Sequence, residues 1–160
     1  MKQGAFFLAI GDELLDGRVQ DKNIHYAGQV LASLGMELKG AQIFPDDVPA
    51  LVEVMRQAAA SNSFLWISGG LGPTDDDKTL DVLSEAFGVP LLENKAVQQH
   101  IEKMSKATGL LALDRAHRQS RVPQGATFWL NEAGTAPGLL MSHEGTDVVC
   151  MPGVPREFQW

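Results

Sequence analysis

Short apolar runs that stop at glycine alternate along this chain with segments of helical period, and that alternation constrains the fold more than any other feature. It is the pattern of a mostly parallel sheet with helices on both faces. Ala5 to Ile10 is almost continuously apolar, too short for a helix, and typical of a strand buried on both sides; it stops at Gly11. From Asn23 to Leu34, Ile24, Ala27, Leu31 and Leu34 recur on one helical face, with Gly35 as the stop. Leu38 to Phe44 reads as a second strand. Asp46-Asp47 then precede Pro49 and the stripe Val48, Leu51, Val52, Met55, Ala59, an N-capped helix.

Phe64 to Ser68 reads as a third strand and runs directly into Gly69-Gly70-Leu71-Gly72-Pro73-Thr74, then Asp75-Asp76-Asp77-Lys78-Thr79. A helix with Leu80, Leu83 and Phe87 inward follows, ended by Gly88 and Pro90. Asn94 caps another, with Val97, Ile101 and Met104 on one face and Gly109 as its stop. Asp114 to Arg121 reads as helical up to Pro123. Gly138 to Ser142 and Asp147 to Met151 flank His143-Glu144-Gly145-Thr146 as a small antiparallel hairpin. Arg156 to Trp160 resembles the first turn of a helix cut short, so the chain is expected to be one domain excised from a longer protein.

With 160 residues, 44% hydrophobic and 21% charged, the chain suits a single domain burying roughly two-thirds of its unfolded surface. No apolar run reaches the ~18 residues of a membrane span, and the N-terminal apolar stretch runs into Gly-Asp-Glu rather than a cleavage site; a cytoplasmic location is the expectation. Cys150, the one cysteine, lies in an apolar stretch and reads as a core thiol. A formal charge of -7 with no basic stripe argues against nucleic acid and anionic lipid as partners. An anionic ligand would need local devices: backbone amides at helix N-termini, a few basic side chains, or a divalent cation.

Such devices gather where the strands end, in Gly11-Asp12-Glu13, Pro45-Asp46-Asp47 and Gly69 to Thr79. The glycines at 69, 70 and 72 allow close approach of backbone N–H groups to a phosphate, and Thr74 and Thr79 add hydroxyls. A Walker A loop is disfavoured because Asp77 precedes Lys78-Thr79, and a dinucleotide fingerprint because position 75 is Asp. Position 80 is Leu where a calcium loop needs Gly, and neither a GxSxG elbow nor a His/Cys metal cluster is present. Asp75 to Asp77 either cap and solvate the helix that follows, or belong to a cation bridging Asp77, with Asp76 or Asp46, to a substrate pyrophosphate. Asp46 alone serves equally as a helix cap or a metal ligand.

Four strings, GDELLDGRVQDKN (11–23), GGLGPTDDDKT (69–79), GTAPG (134–138) and MPGVPRE (151–157), together resemble the N-terminal domain of the CinA family, which in turn resembles the molybdenum-cofactor proteins MoaB and MogA. The resemblance spans the whole chain. It implies a three-layer α/β/α fold with a molybdopterin-binding-like pocket. Gly70, Gly72 and Thr74 would face the ligand phosphate, and Asp77 with Thr79 matches the Asp-x-Thr of MoaB and MogA. Asp46 matches the acidic residue after the second strand, Gly153 with Pro155 the loop closing the pocket, and Asp12, Glu13 and Asn23 the CinA-type first loop. Gly11, Gly69, Thr135, Gly138 and Arg156 lie in the same strings and join the substrate-binding set. The sequence departs from the family pattern at Asp16, where a small residue is usual, and near Ala116, where an Asn usually precedes the Arg118-Gln119 pair.

The resemblance further implies metal-dependent hydrolysis of the ADP-ribose pyrophosphate bond. Asp77 and Asp46 would hold Mg²⁺ or a similar divalent ion, with Lys78, Arg18 or Arg156 neutralising phosphate charge. Two other expectations stand beside it: binding of a molybdopterin cofactor, and a non-catalytic oligomerisation module. The small-molecule partner is a nucleotide or a pterin, and the assembly expected is a homo-oligomer, a dimer or trimer.

Overall fold

The near-continuous apolar run at the N-terminus becomes the middle of a sheet. In the computed structural model, which describes residues 2–108 and 117–160, β1 (Ala5–Ile10) lies between β2 (Leu38–Phe44) and β3 (Phe64–Ser68), parallel to both. β3 also pairs in parallel with β8 (Thr146–Met151), which pairs antiparallel with β7 (Gly138–His143), and β7 with β6 (Thr127–Trp129). The six-stranded order is β2-β1-β3-β8-β7-β6. The expected hairpin therefore forms, but it is part of the main sheet. A separate antiparallel pair joins β4 (Leu91–Glu93) to β5 (Arg121–Pro123).

The two-residue period of β1 divides the core. Leu8 and Ile10 face a large cluster with Leu65, Ile67, Val148 and the inner stripes of three helices: α3 (Val48–Ser61), α4 (Thr79–Phe87) and α5 (Lys95–Thr108). Phe7 and Ala9 face the opposite side, where Ala27 of α2 (Asn23–Ser33) and Phe158 of the C-terminal helix (Pro155–Phe158) cover the sheet. Aromatic rings fill this thinner layer, with Phe158 stacked on Trp66 at 5.2 Å and edge-on to Phe7 at 5.9 Å. Helices on both faces make the three layers.

Local chemistry sets the element ends. Asp47 caps α3 by accepting a hydrogen bond from Ala50 N at 3.0 Å, with Pro49 in the first turn. Gly88 ends α4 in the left-handed region, φ 64°. A short helix, α1 (Asp12–Leu15), begins directly after β1. Of the stretch read as helical from Asp114 to Arg121, residues 117–119 are helical and Arg121 already belongs to β5; Asp114 to Ala116, like the stop at Gly109, lies outside the described residues. Cys150 is buried in the large cluster, where desolvation pushes its thiol pKa far up and keeps it protonated. None of the described helices is long and apolar enough to cross a membrane.

The large cluster is expected to carry most of the stability. Leu65→Ala, at a fully buried position, should lose about 2–5 kcal/mol in urea unfolding, whereas Leu34→Ala, at 72% exposure, should shift stability by about 0.5 kcal/mol or less.

Candidate functional site

Three strand ends meet at one point. Gly69, which follows β3, donates its N–H to Met151 O of β8 at 3.0 Å, and a Cβ on it would collide with Ile10 O at the end of β1. Its φ of +105° excludes ordinary side chains as well, so both conformation and contact require glycine here. Gly153, after β8, packs against the Gly69 Cα. Asn23 at the start of α2 ties the same point, donating from Nδ2 to Ser68 Oγ and Gly153 O, each at 2.8 Å. Strand order places this junction at a topological switch, because the chain leaves β1 toward β2 on one side and β3 toward α4 on the other. Open sheets hold their ligands at such crevices.

The glycine-rich loop is closed by its own aspartate. Asp77 accepts from Gly72 N at 2.9 Å, from Thr74 N at 2.8 Å and from the Thr74 hydroxyl. The carboxylate thus occupies amides that the sequence offers to a phosphate. Thr79 is buried, and its hydroxyl donates to Gly69 O at 2.8 Å, bracing the loop from beneath. The acidic run does not cap α4, whose N-cap Lys78 makes no side-chain cap bond. Asp75 reaches out to Arg118 at 2.7 Å, and Asp76 is exposed.

Two chambers open from this junction and share Ile10, Glu13, Gly70 and Asp77. The acidic one, about 300 Å³, adds Gly11, Asp12, Asp46, Thr74 and Asp76, with Arg18 as its one basic lining residue. Arg18 is itself engaged by Asp16, Nε to Oδ2 at 2.6 Å, so the unusual Asp16 orients the cation at the chamber rim. Asp12 and Asp46 lie close enough for each backbone N–H to approach the other's carboxylate at 3.4 Å. Burial raises the Asp46 pKa, and the charges of Asp12, Glu13 and Asp77 add to the rise, against the lowering effect of the Asp12 amide.

The second chamber, about 430 Å³, is mostly apolar, with Val19, Leu71, Ala136, Val154 and Pro155 among its walls. Its polar groups away from the shared wall are Gln119, Thr135 and Glu157. Gln119 is buried and donates from Nε2 to Leu71 O at 3.0 Å and Thr135 Oγ1 at 3.1 Å.

This arrangement defines the class of protein: a three-layer α/β domain with a bipartite cleft at its strand ends, acidic on one side and apolar on the other. The chain belongs to the family whose model, described as "Probable molybdopterin binding domain", matches residues 6–159. It is 38% identical over 152 residues to a CinA-like protein of Myxococcus xanthus, a match covering 95% of this chain and 36% of that protein, so it spans little more than a third of that relative. Among solved structures it is similar to CinA of Thermoplasma acidophilum, described as of unknown function, with 28% identity and a TM-score of 0.88 over 99% of this chain and 92% of that one. MoaB of Thermus thermophilus shares the fold, at 20% identity and a TM-score of 0.64 over 99% and 86% of the two chains.

The sequence-derived residues divide accordingly. Gly11, Asp12, Glu13, Asp46, Gly70, Thr74, Asp76 and Asp77 gather in the acidic chamber; Gly69, Gly72, Thr135, Gly153 and Pro155 line the apolar one. Asn23 lines a neighbouring cavity of about 40 Å³, and Thr79 lies under the loop. Lys78 and Arg156 line neither chamber, Arg156 donating to Ala133 O at 2.9 Å. Gly138 makes room for the Trp129 ring, which a Cβ there would strike. Gln119 and Glu157 are the additions; both lie within the family strings, in the Arg118-Gln119 pair and at the end of MPGVPRE, but the strings alone give neither a role.

Among the described residues, no three His, Cys, Asp or Glu side chains are grouped as a ready metal site. Asp12, Glu13, Asp46 and Asp76 are oxygen donors of the type hard cations take, but they line the chamber without converging into a preformed set. A raised carboxyl pKa costs stability once the group ionises: the neutral forms are equal in cost below the unfolded value, and stability is lost as pH rises through the folded one. Asp46→Asn is therefore expected to raise the melting temperature at neutral pH, with the gain vanishing as the pH falls below the ordinary aspartate range near 3.9. Differential scanning fluorimetry across pH checks this.

Proposed function

We propose that the domain binds a diphosphate-bearing nucleotide or pterin across the two chambers, with the charged linkage and a divalent cation in the acidic chamber and the uncharged half in the apolar one. The observation that carries this reading is the shared wall of Ile10, Glu13, Gly70 and Asp77, which joins a carboxylate-lined space to an apolar one large enough for a ring system. Five carboxylates against one guanidinium would repel a bare pyrophosphate. Asp46, with Asp12, Glu13 and Asp76 around it, would hold Mg²⁺ or a similar ion, which supplies charge neutralisation and polarises the phosphate oxygens. Asp77 has a different part: it keeps the Gly72–Thr74 turn in shape and presents its remaining lone pairs to the shared wall.

On this reading the reaction is hydrolysis of the ADP-ribose pyrophosphate bond. The oxygen of water bonds to one phosphorus as the bridging P–O bond breaks, giving AMP and ribose 5-phosphate, and the released proton passes to a chamber carboxylate and then to solvent. Arg18, held by Asp16 at the rim, is placed to meet phosphate charge. The family description favours molybdopterin as the alternative occupant of the same cleft. In either case we infer a cytoplasmic domain that works as a homo-oligomer, a dimer or trimer.

Incubation with ADP-ribose and Mg²⁺ is expected to yield AMP by chromatography, none after chelation, and about 10–100-fold less with Asp46→Asn. Full-rate cleavage by that variant, or cleavage insensitive to chelation, contradicts the metal assignment. Molybdopterin retention with no ADP-ribose turnover favours the pterin reading.

A further inference from the structure

The apolar chamber holds a carboxylate with nothing to do. Glu157 is half-buried in the chamber wall, and among the described residues no side chain or backbone group donates to its carboxyl oxygens; only its main chain is engaged, the N–H by Val154 O and the C=O by Asn131 Nδ2. Arg156, the neighbouring cation, is turned away to Ala133 O. The backbone is shaped to receive this carboxyl: a Cβ at Gly134 would land on it, so glycine in the 134–138 string is what admits Glu157 to the chamber wall. Burial raises the pKa of this group, and the nearby charge of Arg156 offsets part of the rise.

The wall beside this carboxyl is fixed by Gln119. Gln119, 2% exposed and lining the same chamber, has a fixed amide, because Leu71 O accepts from it and so must face the NH₂. Its Oε1 is left buried without a partner. That oxygen is covered by the protein's own atoms, so the amide is part of the wall and Glu157 is the acceptor a ligand can reach.

We propose that Glu157 selects the uncharged half of the ligand by accepting hydrogen bonds from adjacent O–H or N–H donors. This rests on the two-chamber reading above. Adjacent donors of this type occur as vicinal sugar hydroxyls and as the imino-amino edge of a guanine- or pterin-like ring; a carboxylate accepts from either pair, and an apolar wall favours neither charge.

Calorimetry with three probes tests this. ADP-ribose and GDP both offer vicinal hydroxyls, GDP alone adds an imino-amino edge, and Mg²⁺-pyrophosphate occupies the acidic chamber alone. Glu157→Gln, which keeps shape and removes the charge, is expected to weaken the nucleotide that the wild type prefers by about 10–100-fold, as for a lost hydrogen bond to a charged group, and to leave Mg²⁺-pyrophosphate unchanged. Preference for ADP-ribose identifies the hydroxyls, and preference for GDP the ring edge. Equal losses for pyrophosphate and nucleotide overturn the inference in favour of a structural role. Unchanged nucleotide affinity overturns it while leaving the two-chamber reading intact. Failure of the wild type to bind any probe overturns both.

Discussion

The close approach of three chain segments at Gly69 is the constraint on which the rest depends. Its amide is spent on Met151 O, its missing side chain makes space for Ile10 O, and Gly153 packs on its Cα. Any larger residue would push apart the ends of β1, β3 and β8, and with them the loops that wall both chambers. Asn23 and Thr79 reinforce the same junction from opposite sides, one from α2 and one from α4. The cleft is thus a consequence of how a parallel sheet ends, and its rigidity comes from the buried strands beneath.

Charge is the second theme. A chain of formal charge -7 concentrates five carboxylates beside its glycine-rich turn, where their like charges repel one another. Asp77 is the exception within the cluster, since its oxygens are satisfied by Gly72 and Thr74 and so cost little. One side chain therefore shapes the loop and adds to the negative potential around it.

Much of this was legible in the sequence where local pattern decides structure. The apolar run of β1, the stripes of α2 and α3, the Asp47 cap and the stop at Gly88 all form as their periodicity and end signals imply. The three-residue strands β4, β5 and β6 were not legible, because pairing with distant partners, not their own composition, makes them strands. The same limit applied to the cleft. Its acidic side follows from loops next to strand ends, while Gln119 and Glu157 arrive from far along the chain. Asp77, Thr79 and Asn23 brace the junction through Gly72 and Thr74, Gly69, and Ser68 and Gly153, partners visible only in three dimensions.

The central claim is that cation and pyrophosphate enter the acidic chamber together. Linkage makes that claim measurable, because each must raise the other's affinity by the same factor. Isothermal titration of the wild-type protein with inorganic pyrophosphate, with and without Mg²⁺, is the most direct measurement. Binding at least about tenfold tighter with the cation is expected, a coupling of about 1.4 kcal/mol, with a matching gain in Mg²⁺ affinity when pyrophosphate is present. Equal pyrophosphate affinity in the two conditions would contradict it.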